Sequence, residues 1–303
     1  MIRFAAISDL QYGDFDKVGN RAYRESISKF LISVGEFVNS DVDFAMNFGD
    51  SCQSGFSNHL AIVELYRLAE KYGAQWRHVL GNHDFLVNDA QKKDVYANLG
   101  LEKPGYYSFS ISDKEDAANK WRFVVLNGNE ISEYAAETDE ERDAARRERE
   151  ARKLADGSLP YEWNGSLSRK QLDWLDSQLQ EAEDAQENAA ICSHFPLFAS
   201  SKSFESRSKL AALVDLGVYY SDLGVSTWNG REILEILDKR ACVRAYFAGH
   251  LHEGSYGVRR GVAHVTFNGA VEAEPYAHAF VELTSKSIKV KGFGAQPSYM
   301  CEF

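Results

Sequence analysis

Short apolar runs punctuate the chain, and each stops at a residue able to do chemistry. Residues 2–8 form the first, ending at Asp9. Residues 44–48 form the second, closed by Gly49 and Asp50, and residues 75–80 the third, closed by Gly81, Asn82 and His83. Runs of this length, bounded by turn residues, predict buried strands. Between them the spacing changes. Over residues 21–38, Tyr23, Ile27, Phe30, Leu31, Val34, Phe37 and Val38 fall on one helical face. Ser57 is expected to cap a second helix whose apolar residues run from Leu60 to Leu68, with Gly73 at its end. The reading is strand, helix, strand, helix, strand, and parallel α/β sheets carry their sites at the carboxyl ends of such strands.

Downstream, the pattern predicts a short helix at 89–99 and strands at 106–111 and 121–126. Ser168 and Gln171 have capping-box spacing and open a helix with Leu172, Trp174, Leu175 and Leu179 inward. Residues 189–192 form a strand that delivers His194. Residues 198–224 are polar and aromatic by turns, which suggests a loop with short helices near the site. Asn229 is expected to cap a helix running through Leu237, and the apolar run 242–247 leads into Gly249, His250 and His252. Alternating segments at 256–259, 262–267, 279–283 and 288–291 read as strands of a second sheet. There is no internal repeat and no low-complexity linker. One α/β domain with two sheets, spanning 1–303, is the simplest organisation.

One stretch breaks the pattern. Over residues 133–156, opposite charges recur three and four positions apart and the apolar residues are almost all alanine. That describes an exposed helix that buries little. It reads as a solvated helical insertion at about 132–158, in preference to a substrate lid or partner surface.

Composition narrows the function. With 44% hydrophobic and 13% aromatic residues the chain can bury a sizeable core. A net charge of −11 argues against a binder of nucleic-acid polymers or membrane surfaces. An anionic small-molecule substrate stays open, because bound divalent cations would dominate the local field. Cys52, Cys192, Cys242 and Cys301 show no paired spacing and read as buried thiols, in keeping with a reducing compartment. No signal-peptide pattern precedes Ile2 and no apolar run approaches membrane-spanning length, so a soluble, cytoplasmic protein is expected. No obligate protein partner is evident.

The residues at the strand ends are Asp9, Gln11, Asp50, Asn82, His194, His250 and His252. They offer oxygen and imidazole donors without a thiolate, a set suited to Mn²⁺, Mg²⁺, Fe²⁺ or Zn²⁺ and unlike a structural cysteine-rich zinc site. Seven donors exceed what one ion needs. Two ions about 3.5–4 Å apart would use them all, with Asp50 on the middle strand as the bridge. Two divalent cations, less two carboxylates and a metal-bridging hydroxide, leave a positive site that attracts phosphate and supplies its own nucleophile. His83 has no place among the ligands and is positioned to protonate a leaving oxygen or hold transition-state charge. His59, His78 and His264 lack such company and are read as structural or surface residues.

In this order, Asp9-x-Gln11, Gly49-Asp50, Gly81-Asn82-His83-Asp84, Ser193-His194 and Gly249-His250-x-His252 resemble the calcineurin-like metallophosphoesterase superfamily. There the first fragment is usually Asp-x-His. With Gln11 in place of that histidine, the chain looks like the manganese-dependent ADP-ribose/CDP-alcohol diphosphatases. Trp163-Asn164-Gly165, Gln171-Leu172-x-Trp174-Leu175, Trp228-Asn229, Gly269-x-Val271-Glu272, Ala279-Phe280 and Lys291-Gly292 add to that likeness. The resemblance implies a four-layer αββα sandwich of two mixed sheets. It implies one metal on Asp9, Gln11, Asp50 and His252, and the other on Asp50, Asn82, His194 and His250. The Gln11 amide is a harder donor than imidazole and favours Mn²⁺ or Mg²⁺ over zinc. It further implies hydrolysis of a nucleoside diphosphate linked to a sugar or alcohol, with Asn82 holding phosphoryl oxygen and His83 assisting the leaving group.

Tyr12, Phe85, Trp228 and Tyr276 are the candidate aromatic wall for that substrate. Two departures border the expected pocket: the segment after Tyr12 is shorter, and residues 198–227 are longer, than in those diphosphatases. The same chemistry admits cyclic nucleotides or phosphomonoesters as a rival substrate class. A non-catalytic scaffold on the same fold is disfavoured, because every donor position is filled and His83 is present.

Overall fold

The computed structural model describes residues 1–200 and 217–303, so most of the expected 198–224 loop lies outside the described residues. β1 (Ile2–Ile7) pairs in parallel with β2 (Phe44–Asn47), and β2 with β3 (Trp76–His78). Alternate residues divide between two cores. Phe4, Ala6, Phe44 and Met46 face one side, and Ala5, Ile7 and Ala45 face the other. Both faces are covered, which is why these strands read as continuous apolar runs. The outer cover is α1 (Ser26–Val38), α2 (Phe56–Lys71) and α3 (Asp89–Asn98), which bring Phe30, Phe37, Ile62, Tyr66 and Val95 onto Trp76 and its neighbours.

The second sheet contains β4 (Tyr107–Ser112), β5 (Lys120–Val125), β6 (Asn188–Cys192), β9 (Val243–Ala248), β10 (Ser255–Arg259) and β11 (Val262–Thr266), in the order β10-β11-β9-β6-β5-β4. Its outer face is covered by α5 (Arg169–Asp184) and α6 (Gly230–Leu237) through Leu172, Leu175, Leu179, Ile233 and Leu237. β7 (Phe198–Ala199) and β8 (Val218–Tyr219) make a separate two-stranded ribbon. The charged stretch contains α4 (Asp139–Ala151), of which Ala145 alone is buried. The two sheets meet across an aromatic interior in which Phe4 contacts Phe44, Phe123 and Phe247. The result is an α/β four-layer sandwich of two mixed sheets.

Several local expectations change. The carboxyl-terminal strands do not form one sheet. β10 and β11 join the second, whereas β12 (Ala277–Leu283), β13 (Ser287–Gly294) and β14 (Tyr299–Glu302) extend the first. β12 enters antiparallel to β1, with Ile2 opposite Leu283 and Ala6 opposite Ala279. Such a long-range choice leaves no mark on local alternation. Helix α1 begins at Ser26 rather than near Arg21, and Leu31 lies outside its buried face at 51% exposed. Gly55, not Ser57, occupies the cap position of α2, and both Leu60 and Leu68 are exposed. Asn229 sits at the cap of α6, yet its side chain accepts from Leu167 N at 3.1 Å and donates to Leu167 O at 2.8 Å. Ser168 does cap Gln171 N at 3.1 Å, but it is Glu130 that returns a bond to Ser168 N, at 2.9 Å.

All four cysteines are buried and free. No helix among the described residues is long and apolar enough to cross a membrane. Because Phe4 is fully buried at the meeting point of both sheets, Phe4→Ala is expected to lower stability by about 3–5 kcal/mol. Chemical denaturation followed by far-ultraviolet circular dichroism would measure it.

Candidate metal centre

Every expected donor sits just past the end of a central strand. Asp9 and Gln11 follow β1, Asp50 follows β2, Asn82 and His83 follow β3, His194 follows β6, and His250 and His252 follow β9. The backbone there is bent hard. Of six described non-glycine residues with positive φ, four are Asp9 (50°), Gln11 (42°), Asp50 (53°) and His250 (71°). Each such conformation costs about 1–3 kcal/mol and persists only where the surroundings impose it. Strain is thus concentrated on the donors.

Backbone hydrogen bonds and close-packed glycines impose it. Asp9 N donates to Gly49 O at 3.1 Å, Gln11 N to Asp50 O at 2.8 Å, and Gly249 N to His194 O at 3.0 Å. His250 N reaches across the sheets to Asp9 Oδ2 at 3.0 Å. A Cβ on Gly249 would stand 2.0 Å from Ser8 Oγ and 2.7 Å from Asp9 Oδ2. Asp84 clamps two loops at once, accepting from Asp50 N at 3.1 Å, Ser51 N at 2.9 Å and Gly81 N at 2.9 Å.

Hydrogen bonding also selects the atom each side chain leaves free. His194 Nδ1 bonds Phe48 O at 2.7 Å, and His83 Nδ1 bonds Gln53 O at 2.9 Å. A carbonyl only accepts, so Nδ1 carries the proton and Nε2 keeps a lone pair in the neutral ring. His252 Nδ1 donates in the same way to Glu272 Oε1 at 2.8 Å. Gln11 Nε2 donates to Asp50 Oδ2 at 3.3 Å, leaving Gln11 Oε1 buried without a partner, and Asp9 Oδ1 is also unpartnered. A buried unpaired acceptor costs about 1–3 kcal/mol, and a bound cation would remove that cost at both.

The freed atoms fall into two groups. His252 Nε2 lies 3.5 Å from Asp9 Oδ1. His194 Nε2 lies 3.3 Å from Asp50 Oδ2 and 3.2 Å from Asn82 Oδ1. Ligand atoms of Asp50, His194 and His250 all lie within 4.8 Å of one another. His83 stands off, with Nε2 4.0 Å from Asp50 Oδ2. The oxygen and imidazole donors suit hard or borderline divalent cations.

Burial would raise the pKa of Asp50, but His194 and His83 outweigh it and hold the carboxyl below its usual range. Asp9 is likewise lowered against burial, first by the His252 imidazole 3.5 Å away. Burial disfavours charge on His194 and His252 as well. Asp50 nevertheless raises His194 to about 9, and the nearby Asp9 carboxylate with the hydrogen bond to Glu272 raises His252 to about 9. His250 is pushed down to about 3 by burial and by His194. Protons on two imidazoles therefore balance the two carboxylates when no metal is bound.

The centre opens into a cavity of about 370 Å³, lined by Gln11, Asp50, Asn82, His83, His250 and His252. None of the four expected aromatic wall residues lines it. Phe85 is buried against Tyr96, and Trp228 is buried with Nε1 donating to Tyr161 O. Tyr12 bridges to Cys52 along the backbone, and Tyr276 stacks on His278. An aromatic just after a strand turns into the core as readily as toward a site. Among the described residues, the rest of the wall is Arg21, Leu86, Tyr134, Trp163, Val225 and Leu251.

A family model described as calcineurin-like phosphoesterase matches residues 2–254. The chain belongs to the calcineurin-like phosphoesterase family. Relatives named manganese-dependent ADP-ribose/CDP-alcohol diphosphatase include one from Oryza sativa subsp. japonica, 29% identical over 92% of this chain and 87% of its own length. Another, from Xenopus laevis, is 25% identical over 91% of this chain and 83% of its own length. A solved dimetal phosphatase from Danio rerio has the same fold, with a TM-score of 0.77 at 22% identity, covering 100% of this chain and 99% of that one.

Three parts of this phosphoesterase site carried no assigned role in the sequence. Asp84 and Glu272 stood inside recognised motifs, but only the structure shows what they bond. Arg21 sits in the turn before α1, where no periodicity marks it.

Two outcomes are expected. With His194 and His252 protonated up to pH about 9, Mn²⁺ binding to the metal-free protein at pH 7 should release about two protons. Affinity should then weaken as pH falls and strengthen as pH rises toward 9; pH-stat titration measures both. Gly249→Ala should abolish metal uptake because its Cβ meets Ser8 and Asp9, whereas Gly35→Ala, with nothing within 4 Å on helix α1, should stabilise by about 0.5–1 kcal/mol. Metal content by mass spectrometry and thermal unfolding check the pair.

Proposed function

We propose that this phosphoesterase hydrolyses the phosphoanhydride of a nucleoside diphosphate linked to a sugar or alcohol, of the ADP-ribose or CDP-alcohol type. It does so with two divalent cations, Mn²⁺ first among them. Asp9, Gln11, Asp50 and His252 would hold one, and Asp50, Asn82, His194 and His250 would hold the other. The observation that carries this reading is the pair of orphaned buried oxygens, Asp9 Oδ1 and Gln11 Oε1, beside histidine Nε2 atoms freed by bonds at Nδ1. The names of the relatives support the substrate class and the metal. When bound, the cations supply Lewis acidity toward phosphoryl oxygens and lower the pKa of coordinated water.

The chain's own groups do the rest. Asn82 lines the cavity beside His194 and directs its amide at phosphoryl oxygen. His83 is held by its Nδ1 bond to Gln53 O and presents Nε2 to the cavity, where the imidazolium form can give its Nε2 proton to the departing oxygen and be left as the neutral ring. Uncharged walls of Leu86, Val225 and Leu251 restrict water around the reacting group.

The test is a turnover screen of the Mn²⁺-loaded protein on ADP-ribose, CDP-glycerol, 2′,3′-cyclic AMP and p-nitrophenyl phosphate. Release of AMP from ADP-ribose, or of CMP from CDP-glycerol, is expected. Turnover of the cyclic nucleotide or the aryl ester with neither diphosphate cleaved would overturn the substrate assignment. His83→Ala should keep both metals and lose about 10²–10⁴-fold in kcat. Unchanged kcat would remove His83 from its role.

A further inference from the structure

Lys29 is a buried cation that the metal chemistry does not use. It lies on α1 and is 3% exposed. An ammonium group taken out of water is costly unless its donors are matched. Among the described residues no carboxylate stands within ion-pair distance of it, and Glu274 and Glu25 act on it only from farther off. Its donors go instead to two backbone carbonyls, Ala270 O at 3.2 Å and Val271 O at 3.1 Å. Charge-assisted bonds are roughly twice as strong as neutral ones, and both of these fall on one short loop.

That loop touches the metal donors from two sides. Ala270 N donates to Ser8 O at 3.0 Å and Val271 N to Asp9 O at 3.0 Å, so the loop runs beside the strained turn at Asp9. Gly269 N donates to His252 O at 2.9 Å, and a Cβ on Gly269 would stand 2.7 Å from the His252 ring. Glu272 Oε1 accepts from His252 Nδ1 at 2.8 Å, which leaves Nε2 facing Asp9. Toward α1 the loop is met by Lys29 and by Ala22 N, which donates to Val271 O at 3.1 Å. Lys29 therefore holds the loop from the helix, and the loop holds Asp9 and His252. The donors expected on the other cation are fixed by different contacts: His194 by Phe48 O, and the loops carrying Asp50 and Asn82 by Asp84.

We propose that Lys29 is a positioning residue for one cation of the pair, the one assigned to Asp9, Gln11, Asp50 and His252, and that it acts through the loop 269–272 and the Glu272–His252 bond. This rests on the two-cation reading above.

The experiment titrates Mn²⁺ into the metal-free full chain, followed by calorimetry, electron paramagnetic resonance and thermal unfolding. It compares the parent, Lys29→Met, Lys29→Arg, Glu272→Gln and the double variant Lys29→Met with Glu272→Gln. The parent should take up two ions as a spin-coupled pair. Lys29→Met should weaken one of them about tenfold or more and leave the other at parent affinity, so that a single uncoupled ion is seen at low Mn²⁺. Metal-free Lys29→Met should unfold near the parent temperature, because two lost bonds are offset by one less buried charge. Lys29→Arg keeps charged donors for the carbonyls and should restore most of the affinity. The losses from Lys29→Met and Glu272→Gln should not add in the double variant, since both act on His252. Lys29→Gln gives the same reading should Lys29→Met fail to fold. Parent affinity for both ions in Lys29→Met would overturn the proposal. So would equal weakening of both ions with a lowered unfolding temperature, which would make Lys29 a general support of the fold, and so would full additivity with Glu272→Gln. A parent that takes up a single Mn²⁺ overturns the two-cation reading itself, and the proposal with it.

Discussion

Two carboxylates, Asp9 and Asp50, are removed from water at the edge where the two sheets meet, and both are fully buried. A buried carboxylate is tolerated only when paired. Here the partners come from the other sheet: His194 from the loop after β6, and His250 and His252 from the loop after β9. The site thus requires the sandwich to close. Conversely, closure without a cation or proton at the histidines would leave two like charges facing each other in a low dielectric. Fold and site depend on the same juxtaposition.

That dependence explains where the strain lies. Four donors occupy a left-handed backbone, an arrangement that costs energy even for Asp and His, which tolerate it better than most side chains. The opposing energy comes from the aromatic interior. Phe4, Phe44, Phe123 and Phe247 pack within one cluster, and the parallel register of Phe4 with Phe44 and Ile7 with Asn47 brings the two strand ends level. Asp84 then ties the loops after β2 and β3 through three backbone amides. Burial and the charge of Asp50 push its own carboxyl up to about 7. Asp84 therefore acts as a positional clamp, its oxygens already committed to amides, rather than as a further ligand.

The metal donors were legible because the chemistry fell at punctuation marks: an apolar run, then Gly-Asp, Gly-Asn-His-Asp or Gly-His-x-His. Burial on both faces made the central strands equally plain, as continuous apolar runs. Sheet membership was not legible. β10 to β13 read as one set of alternating segments yet divide between sheets, since β11 pairs with the nearby β9 whereas β12 pairs with β1 at the far end of the chain. The cavity wall was the least legible part. Phe85 and Trp228 had the right neighbours in sequence but spend their rings on the core, whereas Tyr134 and Trp163 reach the cavity from segments with no strand before them.

The charged stretch shows how a surface feature can still bear on the cavity. The helix α4 is solvated along its length, as its lack of apolar residues other than alanine implies, but its ion pairs are not random. Arg146 and Arg149 both reach back to Glu133, at 3.2 and 2.7 Å, and Glu133 is 9% exposed. Arg142 spans to Asp89 at the start of α3, at 2.9 Å. Isolated exposed pairs of this kind contribute little, yet two arginines converging on one nearly buried carboxylate form a network with less freedom to lose. Glu133 immediately precedes Tyr134, which lines the cavity. The helix therefore neutralises most of its own charge while anchoring the segment that carries one wall of the site.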